Sequence, residues 1–240
     1  IVERSDVSSR RDEGLESRLE VLKGALEGPV VIRENGRAFK VDVLRGQKTG
    51  FYLDQRESRS LIGALARGRK VLNLFSYTGG FGVYAAAGGA VSVTSVDSSA
   101  PALDLARENM ALNGFDSLSA EYIRADVFSY LNDAPEGWDL AVIDPPAFAS
   151  RKAQVEQAAR GYKDLCLRTL RRMAHGGVLA AFSCSHHVDA ELFGQIIYAA
   201  VADSGRSAQV IARTSHAPDH PFDICHREGE YLKGIVLHVV

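Results

Sequence analysis

Cysteine is scarce in this sequence: Cys166, Cys184 and Cys225 are the only three in 240 residues. Three thiols so scattered cannot build a disulfide framework, and their spacing does not suit a zinc site. They fit a reducing, cytoplasmic setting best. Long apolar runs are missing too. No stretch reaches the roughly 18 consecutive apolar residues that a membrane span needs, and the first residues lack the charged-then-apolar order of a signal peptide. Nor are basic residues in excess. The 28 Lys and Arg stand against 30 Asp and Glu, a formal charge of -2. A chain that held RNA through phosphates alone would be basic. The substrate is therefore not nucleic acid, or the basic surface is local, or another domain supplies it. The sequence opens on Ile1 rather than Met, so upstream residues are expected.

What remains is an ordinary globular composition, 46% apolar, with room for one α/β domain and a smaller appendage. Residues 1–28 are polar, with Leu15, Leu19, Val21, Leu22 and Leu26 at loosely helical spacing. Alternating residues on both sides of Asn35-Gly36 then predict a β-hairpin, because a type I′ turn needs positive φ at both central positions. Asp54 and Glu57 read as a capping-box variant opening a helix that stops near Gly68. Short apolar strands follow at 71–75, 91–96, 121–125, 140–143, 178–182, 209–212 and 235–239. Helical stretches at 81–87, 101–112, 155–174 and 190–202 lie between most of them. This alternation predicts a mostly parallel seven-stranded sheet with helices on both faces. The expected division is a small amino-terminal α+β piece, 1–53, holding a helix and the hairpin, and an α/β domain, 54–240. The hairpin offers a surface for a homodimer contact.

In open α/β sheets, ligands sit beyond the carboxyl ends of the strands, where strand order reverses. Four successive strands here end in polar or glycine-rich segments. The first runs into Asn73-Leu74-Phe75-Ser76-Tyr77-Thr78-Gly79-Gly80-Phe81-Gly82, a turn whose glycines allow close backbone approach to a ligand. The second ends at Asp97, followed by Ser98, where a carboxylate can accept both hydroxyls of a ribose. The third ends before Asp126-Val127, an acid and an apolar side chain able to flank an adenine. The fourth ends at Asp144-Pro145-Pro146. Each element alone has a blander reading, a tight turn or a helix cap. Their recurrence along one edge points to a nucleoside-containing cofactor. The first turn lacks Gly-x-Gly-x-x-Gly spacing, which argues against a nicotinamide dehydrogenase.

These blocks resemble the successive motifs of class I S-adenosylmethionine methyltransferases, with a Rossmann-like fold. More narrowly, the run from Gly46 through Lys48, Phe51 and Asp54 to Gln55-Arg56 resembles the bacterial large-subunit ribosomal RNA cytosine-C5 methyltransferase family. So do Asp144-Pro145-Pro146-Ala147-Phe148, Gly161-Tyr162-Lys163-Asp164, Phe182-Ser183-Cys184-Ser185 and Tyr231-Leu232-Lys233-Gly234. The resemblance covers nearly the whole chain. It implies S-adenosylmethionine as cofactor, held by Gln55, Arg56, Asn73, Phe75, Ser76, Tyr77, Thr78, Gly79, Gly80, Phe81, Asp97, Ser98, Asp126, Val127, Asp144, Pro145 and Pro146. It also implies RNA, ribosomal RNA in particular, as partner. Family members usually carry an amino-terminal RNA-binding PUA domain, which this sequence lacks.

Cytosine C5 is too weak a nucleophile to take a methyl group unaided; a thiolate added at C6 makes it enamine-like. Cys184, just past a strand at the carboxyl edge, is the expected nucleophile, with Asp144 as hydrogen-bond partner to the pyrimidine edge. A free thiol is only a few per cent ionised at neutral pH, so a nearby cation is required; Lys163, His186 and His187 are the candidates. Many RNA cytosine-C5 enzymes have a second Cys where Ala147 stands here. Asp-Pro-Pro with a following aromatic also resembles enzymes that methylate exocyclic amino groups. Two rivals therefore stand beside C5 chemistry: an amino-group methyltransferase, and a module that binds cofactor and RNA without catalysis. Cys166 reads as core and Cys225 as a loop thiol. His216 and His220 read as part of a loop over the site or as a solvent-exposed loop. Arg151, Lys152, Arg160, Lys163, Arg168, Arg171 and Arg172 form a local basic run, an RNA contact or a solvated helix face.

Overall fold

The computed structural model describes residues 1–6, 10, 13–149, 151–226 and 229–240. Contacts divide the chain into two compact units, Ile1–Tyr52 and Leu53–Val240. In the first unit, β1 (Val2–Arg4) pairs antiparallel with β2 (Leu19–Val21). β3 (Val30–Glu34) and β4 (Arg37–Val41) form the hairpin foreseen at Asn35-Gly36, whose φ values are 48° and 78°. A double left-handed turn matches the twist of the strands it joins. The helical spacing expected over 1–28 is corrected at its centre, because Leu19–Val21 is a strand with all three side chains exposed. Five scattered apolar residues bury too little surface to hold a helix, and pairing with β1 satisfies the backbone instead. Positions 7–9 and 11–12 of that expected helix lie outside the described residues.

In the second unit, a 3-10 turn (Leu53–Gln55) leads into α1 (Arg56–Leu65). The chain then alternates through β5 (Lys70–Leu74), α2 (Gly80–Ala87), β6 (Ser92–Asp97), α3 (Ala100–Leu112) and β7 (Ser119–Arg124). It continues with α4 (Val127–Asp133), β8 (Trp138–Ile143), α5 (Val155–Arg172), β9 (Met173–Ser183), α6 (Ala190–Ser204), β10 (Ala208–Thr214) and β11 (Lys233–Val239). All seven expected strands are present, in the order β10-β11-β9-β8-β5-β6-β7. β11 runs antiparallel to both neighbours, and the other pairings are parallel.

Side chains alternate across the sheet and build two cores. Leu72, Leu74, Ile143, Leu179 and Leu237 pack with residues of α4, α5 and α6. Val71, Leu140, Val142, Ala180 and Val236 pack with α1 and α2. A strand buried on both faces must be apolar throughout, which is why these segments read as continuous hydrophobic runs. Among the described residues, no helix is long and apolar enough to cross a membrane.

Candidate active site at the carboxyl edge of the sheet

Strand order reverses between β5 and β8, and the crevice beyond their carboxyl ends is where an open α/β sheet holds ligands. The turn after β5 is tightly specified. Phe75 and Tyr77 have φ of 56° and 46°, and Gly79, the N-cap of α2, has 78°. Left-handed conformations cost a residue with a side chain about 1–3 kcal/mol, so they persist only where the surroundings impose them. Here the Ser76 N–H donates to the Val96 carbonyl (3.1 Å), the Tyr77 N–H to Asp97 Oδ2 (2.8 Å) and Asn109 Nδ2 to the Thr78 carbonyl (3.0 Å). A Cβ on Gly79 would sit 2.9 Å from the Ala106 Cβ, and one on Gly80 would sit 3.1 Å from the Arg59 Cδ. Phe81 is buried and stacks on Phe182 at 5.2 Å.

Three features of this turn fit a polar ligand. Asn73, 1% exposed at the end of β5, has no protein partner for either side-chain atom, and Ser76 Oγ is buried in the same condition. A buried polar group left unpaired costs about 1–3 kcal/mol, which a bound polar molecule would relieve. Asp97, at the end of β6, accepts one amide on each oxygen, from Tyr77 and from Ser99 (2.9 Å). Each oxygen retains a lone pair for a sugar hydroxyl. The neighbouring Ser98 lends its carbonyl to Arg124 (3.4 Å).

Asp126 has a structural task of its own. It is exposed, caps α4 and accepts the Ser129 N–H (2.9 Å), with Val127 buried behind it.

On the other side of the switch point, Asp144 follows β8 and its Oδ1 accepts from Gln55 Nε2 (3.1 Å). Gln55 is 3% exposed, and its Oε1 is buried without a protein partner. Pro145 is buried, and Pro146 and Ala147 are exposed. The N-cap of α1 is Gln55, not Asp54, and no side chain caps the helix. Asp54 instead accepts the Tyr231 hydroxyl (2.5 Å), while Glu57 pairs with Arg56. The expected capping box fails because the tyrosine hydroxyl offers the buried carboxylate a charge-assisted bond. Arg56 also pairs with Asp219 (2.5 Å), holding that carboxyl below the usual carboxylate range. The Ala217 N–H donates to the Asp54 carbonyl (3.0 Å). The segment around His216 and His220 is thus tied at several points to the turn that carries Gln55.

Cys184 follows β9 and is half-buried, its Sγ 4.0 Å from the Pro145 carbonyl. The serines on either side are fully buried and locked. The Ser183 hydroxyl donates to Tyr162 Oη (3.0 Å), Tyr162 Oη meets Ser185 Oγ at 2.9 Å, and the Ala149 N–H reaches Ser185 Oγ at 3.4 Å. Burial raises the Tyr162 pKa, so the phenol stays protonated.

Phe148 packs on the Tyr162 ring at 4.6 Å, and a Cβ on Gly161 would lie 3.3 Å from the Phe148 ring. Three of the motifs found in sequence therefore touch one another. Replacing Tyr162 with Phe should cost about 1–3 kcal/mol of stability in urea unfolding, because it strips a shared partner from two buried serines.

Lys163 does not join this group. It pairs with Asp203 at 2.6 Å across α5 and α6, because Tyr162, one position earlier on α5, takes the inward face. His186 and His187 are exposed and contact each other. Among the described residues, a cation beside Cys184 is Lys233, 7% exposed at the start of β11, which sequence reasoning quoted within a motif and gave no role. A lysine at the head of a strand that continues Gly234-Ile235-Val236-Leu237 was the available signal.

Arg160, Lys163, Arg168 and Arg172, four of the seven cations in the basic run, are paired with acids, which favours a solvated helix face. Cys166 is fully buried, its thiol pushed up to about 12 by burial. Cys225 is exposed. Among the described residues, no group of three or more His, Cys, Asp or Glu could hold a metal ion.

Residues 8–229 match the family described as S-adenosylmethionine-dependent methyltransferase. The ribosomal RNA large subunit methyltransferase I of Aeromonas salmonicida is 48% identical over 241 residues, covering 99% of this chain and 61% of that protein. The protein of the same name from Shewanella amazonensis is 49% identical over 243 residues, covering 100% and 61%. The chain thus spans about three fifths of the length of these curated relatives. Among solved structures, SMU.776, assigned as a methyltransferase and crystallised with SAH, aligns with a TM-score of 0.82 at 27% identity. That alignment covers 92% of this chain and 58% of the other. The tRNA m1G37 methyltransferase of M. jannaschii, at 17% identity and a TM-score of 0.62 over 93% of this chain and 60% of its own, shares the fold.

Proposed function

The chain belongs to the S-adenosylmethionine-dependent methyltransferases, and from that premise we propose that it forms 5-methylcytidine in large-subunit ribosomal RNA through Cys184. The observation that carries this reading is the approach of the Cys184 thiol to the Pro145 carbonyl, 4.0 Å apart, at the edge where Asp144 ends β8. On this reading the thiol is the nucleophile and Asp144, one residue before that proline, is the carboxylate that grips the pyrimidine edge. The ribosomal RNA substrate is supported by the names of the relatives.

Asn73, Ser76, the turn through Gly79 and Gly80, Asp97 and Gln55 would hold the cofactor, with the Asp126-Val127 pair and Arg56 at its margins. Bound S-adenosylmethionine supplies an electrophilic methyl group. The Cys184 thiolate adds to C6 of the cytosine and makes C5 nucleophilic. Asp144, held by Gln55, hydrogen-bonds the N3/N4 edge and fixes the ring over the thiol. Once C5 carries the methyl group, loss of its proton to a base lets the thiolate leave. The locked Ser183–Tyr162–Ser185 contacts keep the sulfur in place through both halves of this cycle.

The test uses the full-length protein, S-adenosylmethionine and RNA containing 5-fluorocytidine, in which the C5 substituent cannot leave as a proton. A covalent protein–RNA adduct mapped to the Cys184 peptide is the expected result. Methylated RNA without an adduct would overturn the reading in favour of an exocyclic amino-group target held by Asp144-Pro145-Pro146. Cofactor binding with no turnover on any RNA would leave a binding module.

A further inference from the structure

An ammonium group at 7% exposure is uncommon, and it persists only where something compensates its lost hydration. Lys233 has two kinds of compensation. Antiparallel register sets it opposite Ser183, and its Nζ donates to the carbonyls of Ser185 (2.7 Å) and Val188. Both carbonyls belong to the turn that begins with Cys184. One side chain on β11 therefore ties down the turn that carries the thiol on β9. The second compensation is electrostatic. Burial pulls the Lys233 pKa down, and negative charge at Cys184, then at Asp189 and Glu230, works against that pull.

Coulomb attraction is reciprocal: whatever an ionised Cys184 does for Lys233, the ammonium does for the thiolate. Other titratable groups face the sulfur from the elements around it. Tyr162 on α5 and Tyr231 before β11 both have pKa values raised first by burial, with the charge of Cys184 adding to the rise. His186 and His187 follow in the chain and are exposed. Of these described residues, Lys233 is the lysine that approaches the turn. Tyr162, fully buried, and Tyr231, half-buried, stay neutral beside the sulfur because their pKa values are raised. Asp189 and Glu230 set negative charge against the ammonium, and Asp144 precedes the proline whose carbonyl meets the thiol.

We infer that Lys233 is a positioning residue for Cys184: it fixes the 183–188 turn through two carbonyls and sets a positive charge beside the thiol, enlarging its thiolate fraction. The inference rests on Cys184 being the nucleophile, and its test needs no RNA. The full chain is alkylated with iodoacetamide across a pH series, and modification of each cysteine is followed by peptide mass spectrometry. In the wild type, the Cys184 midpoint should fall below that of the exposed Cys225. In Lys233→Gln, whose amide can still donate to the carbonyls, the Cys184 midpoint should rise by about one unit, a roughly tenfold loss of rate at pH 7. Lys233→Arg keeps the charge and should restore most of the shift, a rescue that a merely structural role would not give.

A wild-type Cys184 midpoint at or above that of Cys225 overturns the inference, and that comparison needs no variant to fold. So does a Lys233→Gln midpoint equal to the wild type. A low wild-type midpoint with no adduct on 5-fluorocytidine RNA would instead refute the nucleophile reading and leave the influence of Lys233 on the thiol standing.

Discussion

Cys184→Ala is expected to lower methyl transfer to RNA by a factor on the order of 10⁴ or more, with S-adenosylmethionine affinity changed by no more than about twofold. The asymmetry follows from position. The thiol is half-buried just past the end of β9 and meets the Pro145 carbonyl after β8, while the turn after β5 is built from other residues. Removing it deletes the group that activates C5 and spares the groups assigned to the cofactor. Neither the turn nor the core needs the sulfur, because the neighbouring serines take their hydrogen bonds from Tyr162, Ala149 and each other. Single-turnover transfer of labelled methyl groups, alongside calorimetric titration of the cofactor, separates the two effects. Transfer within about tenfold of the wild type would remove Cys184 from the chemistry.

The second large effect is expected at Gly79. Substitution by alanine places a Cβ 2.9 Å from the Ala106 Cβ and 3.1 Å from its Cα, in a backbone conformation with φ of 78°. The left-handed conformation alone costs about 1–2 kcal/mol, and the clash forces α3 and the turn apart. Cofactor affinity should fall by about tenfold or more, since 1.4 kcal/mol is already a factor of ten. Ala106→Gly in the same chain removes the Cβ contact but neither the 3.1 Å approach to the backbone Cα nor the φ cost, so the double variant should recover part of the affinity and not all of it. Gly79→Ala with unchanged affinity would show that the turn after β5 does not cradle the cofactor.

The parallel strands were legible because a strand buried on both faces has no choice but to be apolar, as in Val71-Leu72 or Ala141-Val142-Ile143. The hairpin was legible because Asn35-Gly36 is chemistry specific to one turn type. The failures have equally local causes. α4 is seven residues long, and Val127 and Leu131 alone mark its buried side, too short a stretch for periodicity to register. The capping task of Asp126 was hidden for the same reason: it shows only once a helix is known to follow the strand.

Asp54 was misread as a cap because its true partner, Tyr231, lies 177 positions away. Lys163 and Lys233 were indistinguishable as letters. The helical phase turns one out to Asp203, and the strand register carries the other in beside Cys184. Contacts across the sheet decide such roles, and no window of neighbouring residues contains them.

The antiparallel placement of β11 also bears on the order in which the protein can assemble. β10 is made before β11, yet β11 is its sole neighbour in the sheet. During synthesis, β10 must therefore wait unpaired until the final strand slides between it and β9. That same strand opens with Lys233, so the clamp on the Cys184 turn closes only when the last strand docks. A nascent chain can complete the apolar edges of β5 through β9 well before it possesses a finished site.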